Sequence, residues 1–187
     1  MEILQTGRQT CLRHPVGTDA AAFLQMVRES RRLHRPWIHP PDDEKAFASY
    51  AGRAASERFQ GFLICLRETG EIAGVANLSE MVRGVFWSAY LGFYASSRCA
   101  GRGLMKEGLQ LVLRHAFRKL GLHRIEANVQ PGNARSLALV QALGFRKEGF
   151  SPRYLKIGGR WRDHERWALL VEDWRRTRER GNSETVV

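Results

Sequence analysis

Apolar and polar residues alternate through RQTCLRHP, which predicts a short strand near the start of the chain. The period then becomes helical in TDAAAFLQMVRES, where a Thr or Asp cap precedes Phe23, Leu24 and Val27 on one side. Pro36, Pro40 and Pro41 forbid regular structure through RRLHRPWIHPP, and a second helix is expected from an Asp42–Asp43 cap through EKAFASYAGRAASE. Three β-rich runs follow, FQGFLICLRE, EIAGVANLSEM and VFWSAYLGFYA, joined by TG and VRG. Turns that short make antiparallel hairpins the natural reading. Beyond Gly103 the pattern is helical again, with Met105, Leu109, Val112, Ala116 and Leu120 three or four apart up to Gly121. LHRIEANV reads as a strand, NARSLALVQAL as a short helix opened by Asn133 and stopped at Gly144, and FRKEGFSPRYLKIGG with RWRDHERWALLV as a closing hairpin. The expected fold class is α/β (α+β), a mostly antiparallel sheet with helices crossing between strands.

A length of 187 residues with 43% hydrophobic side chains suits one core, so residues 1–175 are expected to form a single domain. Residues 176–187 read as a charged, then polar, fraying tail. The chain has no apolar stretch long enough to span a membrane, and MEILQTGRQT lacks the regions of a signal peptide. A cytoplasmic protein with no membrane partner is the expectation. Cys11, Cys65 and Cys99 form no CxxC or Cys/His cluster, which argues against a disulfide framework and against a metal site. A formal net charge of +11 attracts phosphates, nucleic acid or acidic protein surfaces. Without an RNP-like motif or a recognition-helix pattern, that charge alone does not define a nucleic-acid binder.

The stretch RCAGRGLM joins a strand to a helix through two glycines. It is not a P-loop, because Leu104 stands where lysine is required, nor a dinucleotide fingerprint, because Lys106 occupies the third glycine position. What remains is a turn that lets backbone approach closely, followed by unpaired helix N–H groups that favour a pyrophosphate. An ordinary strand-to-helix connection would leave the same residues.

LGFYA, AGRGLM, a long helix and NVQPGNARSLALVQALGFRKEG together resemble the GCN5-related N-acetyltransferase (GNAT) superfamily, whose [QR]-x-x-G-x-[GA] loop binds the pyrophosphate of acetyl-CoA. LHRPWIHPP, NLSEMVRG and YLKIGGRWRDHERWAL extend the resemblance to the ribosomal-protein-alanine N-acetyltransferases of the RimJ/RimL type, from about Arg8 to Trp174. The resemblance implies about six to seven strands and about four helices, with the sheet splayed at a cofactor cleft. Two registers of the loop fit: Arg98-x-x-Gly101-x-Gly103, or Ala100-Gly101-Arg102-Gly103-Leu104-Met105, which the spacing from the preceding strand favours. The second places Ala100 and Met105 where the family usually has Gln or Arg and Gly or Ala, and Arg98 is a possible substitute for the missing side chain.

The resemblance further implies that acetyl-CoA lies between VFWSAYLGFYA and a parallel LHRIEANV, its pantetheine arm paired with the backbone of Phe93, Tyr94 and Ala95. The thioester carbonyl would take an N–H near Tyr94, and an acceptor amine would attack directly. Ser136 falls where a serine can protonate the departing thiolate, although it also sits in the first turn of a helix. Asn133 suits an N-cap and a cofactor contact equally. Glu126 shares a strand face with Asn128 and is the candidate base. Trp37 would either wall the acceptor or plug the space between helices, whereas the scattered histidines and Asp163 read as packing or local hydrogen-bonding residues. The implied acceptor is a protein N-terminus, with a small amine or a non-catalytic, ribosome-associated acyl-CoA-binding module as alternatives. The basic surface would serve ribosome association, and a monomer or homodimer is expected.

Overall fold

The computed structural model describes residues 2–183. Its strands are β1 (Gln5–Thr6), β2 (Thr10–Arg13), β3 (Ala55–Ser56), β4 (Phe59–Leu66), β5 (Ile72–Val82), β6 (Ser88–Ala95), β7 (Arg124–Val129), β8 (Arg146–Ile157) and β9 (Arg160–Leu170). Its helices are α1 (Ala20–Glu29), α2 (Arg31–His34), α3 (Glu44–Arg53), α4 (Leu104–Arg118), α5 (Ala134–Ala142) and α6 (Val171–Ser183). The strands form one sheet in the order β1-β2-β4-β5-β6-β7-β9-β8, with β3 added to β4. Only β6 and β7 pair in parallel, because the α4 crossover returns the chain to the same end of the sheet before β7 begins.

Alternating side chains give the sheet a core on each face. Leu12, Phe62, Ile64, Leu91 and Ile125 pack with Leu109, Val112 and Ala116 of α4. Cys11, Leu63, Cys65, Val75 and Tyr94 face the other way, against Phe23 and Val27 of α1 and Phe47 and Tyr50 of α3. The long α4 lies so close to the sheet that a Cβ on its Gly108 would stand 2.4 Å from Ile64.

The expected hairpins and helices are present, with local differences. The two-residue β1 and β3 bring the described strands to nine, and the short α2 together with α6 brings the helices to six. The α2 turn fits because it ends at His34, leaving Arg35 extended before Pro36. Thr18 and Asp19 do not cap α1 through a side chain. Asp19 instead receives both guanidinium nitrogens of Arg13, at 2.6 and 2.7 Å, and the Val16 N–H. Asp43 does cap α3, accepting from Ala46 N–H at 2.7 Å. The apolar run before β6 misleads at its start: Val85, Phe86 and Trp87 form an exposed turn, and the strand begins at Ser88. The charged segment expected to fray is helical through Ser183, and residues 184–187 lie outside the described residues.

Candidate functional site

Parallel pairing of β6 with β7 covers Ser88 with Arg124, Ala89 with Ile125 and Tyr90 with Glu126, and stops there. Both strands continue, β6 to Ala95 and β7 to Val129, so the sheet opens between them. Which backbone groups face the opening follows from the β5–β6 ladder. Ser96 N–H donates to Ala73 O at 2.8 Å, and the register pairs Gly74 with Ala95, Val75 with Tyr94, Ala76 with Phe93 and Leu78 with Leu91. Hydrogen-bonded and non-bonded pairs alternate in an antiparallel ladder, so Tyr94 bonds Val75 while Leu91, Phe93 and Ala95 turn their N–H and C=O outward. The sequence expectation of an N–H near Tyr94 therefore moves by one residue: the N–H groups aimed at the gap belong to Phe93 and Ala95. The Ala95 carbonyl is already engaged by His34 Nε2 at 2.9 Å. A carbonyl only accepts, so Nε2 carries the proton and Nδ1 of this buried ring is left without a partner.

At the wide end of the gap a 3-10 turn, Ser97–Cys99, leads through Ala100 to Gly101 and Gly103. Their φ angles of +77° and +76° are left-handed, and nothing lies within 4 Å of a Cβ placed on either. The first bonded amide of α4 is that of Glu107, which donates to Gly103 O at 3.1 Å. The N–H groups of Leu104, Met105 and Lys106 consequently point out of the helix start, where the dipole favours an anion. Exposed Arg102 flanks the loop, and Arg8, Lys106 and Arg114 line a cleft of about 390 Å³ that Gly103 borders. Arg98 does not stand in for the missing first side chain: it is bound to Glu29 of α1 at 2.7 Å. Met105 fits because Gly74 makes room, a Cβ there being only 2.2 Å from the Met105 sulfur. These features suit a pyrophosphate held by main chain rather than by side chains.

Across the gap, Asn133 caps α5, its Oδ1 accepting from Ser136 N–H at 3.2 Å. The cap uses the amide of Ser136, and its half-buried hydroxyl bonds to no described residue. Glu126 stands at the narrow end beside Tyr90, and Arg124 Nε donates to it at 2.8 Å. Arg124 also pairs with Glu148, which keeps the Glu148 carboxyl below the usual range.

The face of the opening away from α4 carries Tyr90, Gly92 and Tyr94 from β6 and Glu126 and Asn128 from β7. Tyr154 of β8 lies beside Tyr90 and, with burial, pushes its hydroxyl up to about 12. The Tyr94 hydroxyl is buried without a partner, and burial raises it well above the ordinary range. Trp37 reaches this region: its carbonyl accepts from Gln130 Nε2 at 3.1 Å and its ring covers Gly132. Asp163 accepts from Arg153 N–H at 2.7 Å, the local task expected of it. The Tyr90–Tyr154 contact and the Arg124 pairs escaped the sequence reading. Period-two alternation alone puts Tyr90, Gly92 and Tyr94 on one face, but Tyr154 reaches them only through an irregular stretch of the β8–β9 ladder. Among the described residues no cluster of three or more His, Cys, Asp or Glu side chains could hold a metal ion, and no helix is long and apolar enough to cross a membrane.

Residues 9–146 match the model of the acetyltransferase (GNAT) domain family. The [ribosomal protein uS5]-alanine N-acetyltransferase of Escherichia coli (strain K12) is 38% identical over 164 residues, 83% of this chain and 84% of that one. Mycobacterium smegmatis RimJ, solved in complex with CoA-disulfide, superposes with a TM-score of 0.80 at 31% identity, covering 87% of this chain and 82% of that one. An opened β6–β7 pair with a glycine turn at its wide end, the matched family model and these relatives agree: the chain belongs to the GNAT family and is an N-acetyltransferase.

Proposed function

We propose that this chain transfers the acetyl group of acetyl-CoA to the α-amine of a protein N-terminus, with alanine-started ribosomal proteins as the first class of acceptor. The observation that carries the reading is the opened gap, with outward N–H groups on one wall and the left-handed Gly101–Gly103 turn at its end. Acetyl-CoA supplies an activated thioester. Ala100, Gly101, Arg102, Gly103, Leu104 and Met105 hold its pyrophosphate through main-chain N–H groups and the α4 dipole. The outward groups of Phe93 and Ala95 align its arm as an added strand, and one of their N–H groups receives the oxyanion.

Ser136 donates its unengaged hydroxyl proton to the departing thiolate, and Asn133 holds the helix start that carries it. Glu126, held in place by Arg124, accepts the amine proton through water at the narrow end. A strong base is not needed for an α-amine, whose free pKa is roughly 7.7 to 8.0, so that a sizeable fraction is neutral near physiological pH. The E. coli relative's named substrate is the alanine of ribosomal protein uS5, and a net charge of +11 suits an acceptor presented near ribosomal RNA.

The deciding experiment is mass spectrometry of Ala-, Ser- and Met-started peptides, isolated ribosomal proteins and an amine panel after incubation with acetyl-CoA. One acetyl added to the α-amine of the Ala peptides or of a ribosomal protein supports the reading. Acetylation confined to small amines overturns the acceptor, and binding of acetyl-CoA without any product overturns the activity.

A further inference from the structure

We propose that the Asn128 carboxamide positions the acceptor amine, a role that rests on the acetyl-transfer reading above. Asn128 lies two residues beyond Glu126, the last β7 residue paired with β6, and therefore on the opened part of the strand. Its neighbours Ala127 and Val129 are buried in the core under α4, which turns Asn128 to the opposite face. Continuing the Tyr90–Glu126 register places Gly92 level with it on β6. Gly92 is exposed, and nothing lies within 4 Å of a Cβ placed on it, so the β6 side of the opening at this level is unfilled.

The Asn128 side-chain oxygen is buried and has no hydrogen-bond partner. Of the polar groups on this face the Tyr94 hydroxyl is also buried without a partner, while others point or bond elsewhere. Arg124 holds Glu126, and Tyr90 lies beside Tyr154. Arg166, opposite Asn128 on β9, extends its guanidinium over Gly149 of β8. His164 gives its Nδ1 proton to the Arg162 carbonyl. One carboxamide with an unmet acceptor thus borders the space from which an amine reaches the gap, and buried polar groups without partners are rare enough to need a ligand or a reason.

The chemistry suits a neutral amine. One N–H donates to the Asn128 oxygen, which turns the nitrogen lone pair toward the thioester carbon, and no bond to Asn128 forms or breaks. A carboxylate at this position would instead favour the ammonium form, which has no lone pair to attack with. A carboxamide orients the nucleophile without raising its pKa.

The test uses full-length Asn128→Ala and Asn128→Asp, with an Ala-started peptide followed by mass spectrometry and acetyl-CoA binding followed by calorimetry. Asn128→Ala is expected to lower kcat/KM for the peptide about tenfold or more while acetyl-CoA affinity stays within about twofold. Asn128→Asp preserves the side-chain shape and is expected to move the acidic limb of the peptide kcat profile, which reports the bound amine, to higher pH. Wild-type turnover in Asn128→Ala, or an unmoved profile in Asn128→Asp, overturns the positioning role. A wild-type chain that transfers no acetyl group sinks the underlying reading as well, so the two failures are told apart by the wild-type assay.

Discussion

His34 donates its Nε2 proton to the carbonyl of Ala95 over 2.9 Å, so a side chain from α2 ends the outward-facing edge of β6. The contact also joins the loop that carries Trp37 to the strand expected to hold the cofactor arm. Because His34 lies behind the edge, a strand-like ligand pairs with Phe93 and with the Ala95 N–H but not with the Ala95 carbonyl.

Burial lowers the pKa of His34, against the opposing effect of its bond to Ala95, and burial likewise dominates the lowered values of His115 and His164. A depressed histidine pKa means that the unfolded chain binds more protons at mildly acid pH. The stability contributed by the neutral rings is present above the unfolded value near 6.5 and is lost as pH falls below it. The urea midpoint is therefore expected to drop between about pH 7 and pH 5. His34→Gln, which keeps an N–H donor without a titrating ring, should flatten that drop; an unchanged slope would remove His34 from the account.

Gly103 has a left-handed backbone and open space around its Cβ position. A non-glycine residue there costs about 1 to 2 kcal/mol of backbone strain, which a domain of this size tolerates. Gly103→Asp adds a negative charge at the helix start, where the pyrophosphate is proposed to sit. Calorimetry is expected to show acetyl-CoA binding abolished in a chain whose circular dichroism is unchanged, with a milder loss in Gly103→Ala. Normal affinity in Gly103→Asp would overturn the loop assignment.

Ser136 contributes its amide to the Asn133 cap and leaves its hydroxyl unengaged. Ser136→Ala keeps the amide, and so should leave helix stability and acetyl-CoA affinity in place while kcat falls about a hundredfold if proton donation limits turnover. Asn133→Ala removes the cap itself and is expected to cost about 1 kcal/mol of stability. Equal kcat in wild type and Ser136→Ala would leave the serine a structural job only.

Met105 and Gly74 occupy one volume between α4 and β5. A Cβ on Gly74 would meet the Met105 sulfur at 2.2 Å and the Tyr94 carbonyl at 2.8 Å. Gly74→Ala is expected to destabilise the chain by about 1 to 3 kcal/mol through overpacking, and Met105→Ala in the same chain should recover part of the loss. Additive effects in that double-mutant cycle would separate the two residues.

The glycine turn was legible because left-handed backbone restricts residue choice, so Gly101 and Gly103 stand out locally. Asn133 and Asp43 were legible for a similar reason, since a cap bonds an amide only a few residues away. Helix and strand periods located the main elements, and they failed at Val85–Trp87, where an apolar run is an exposed turn. The assignment of Asp19 failed because Arg13, on the neighbouring β2, competes successfully for a carboxylate that the helix start would use as a cap.

The sequence by itself determined the order of the main elements, the two-faced pattern of the strands and the glycine turn before α4, all of which depend on residues within a few positions of one another. Only the tertiary structure decided where β6 and β7 part, which backbone groups face the opening, and which polar side chains are already spent. Strand phase is set by the β5 partner through Ser96 and Ala73, and the engagement of Glu126, Arg98 and the Ala95 carbonyl is set by other elements packed against them. Such pairings cost no characteristic residue spacing, so Asn128 is distinguished from Glu126 only once the fold shows which of the two has found a partner.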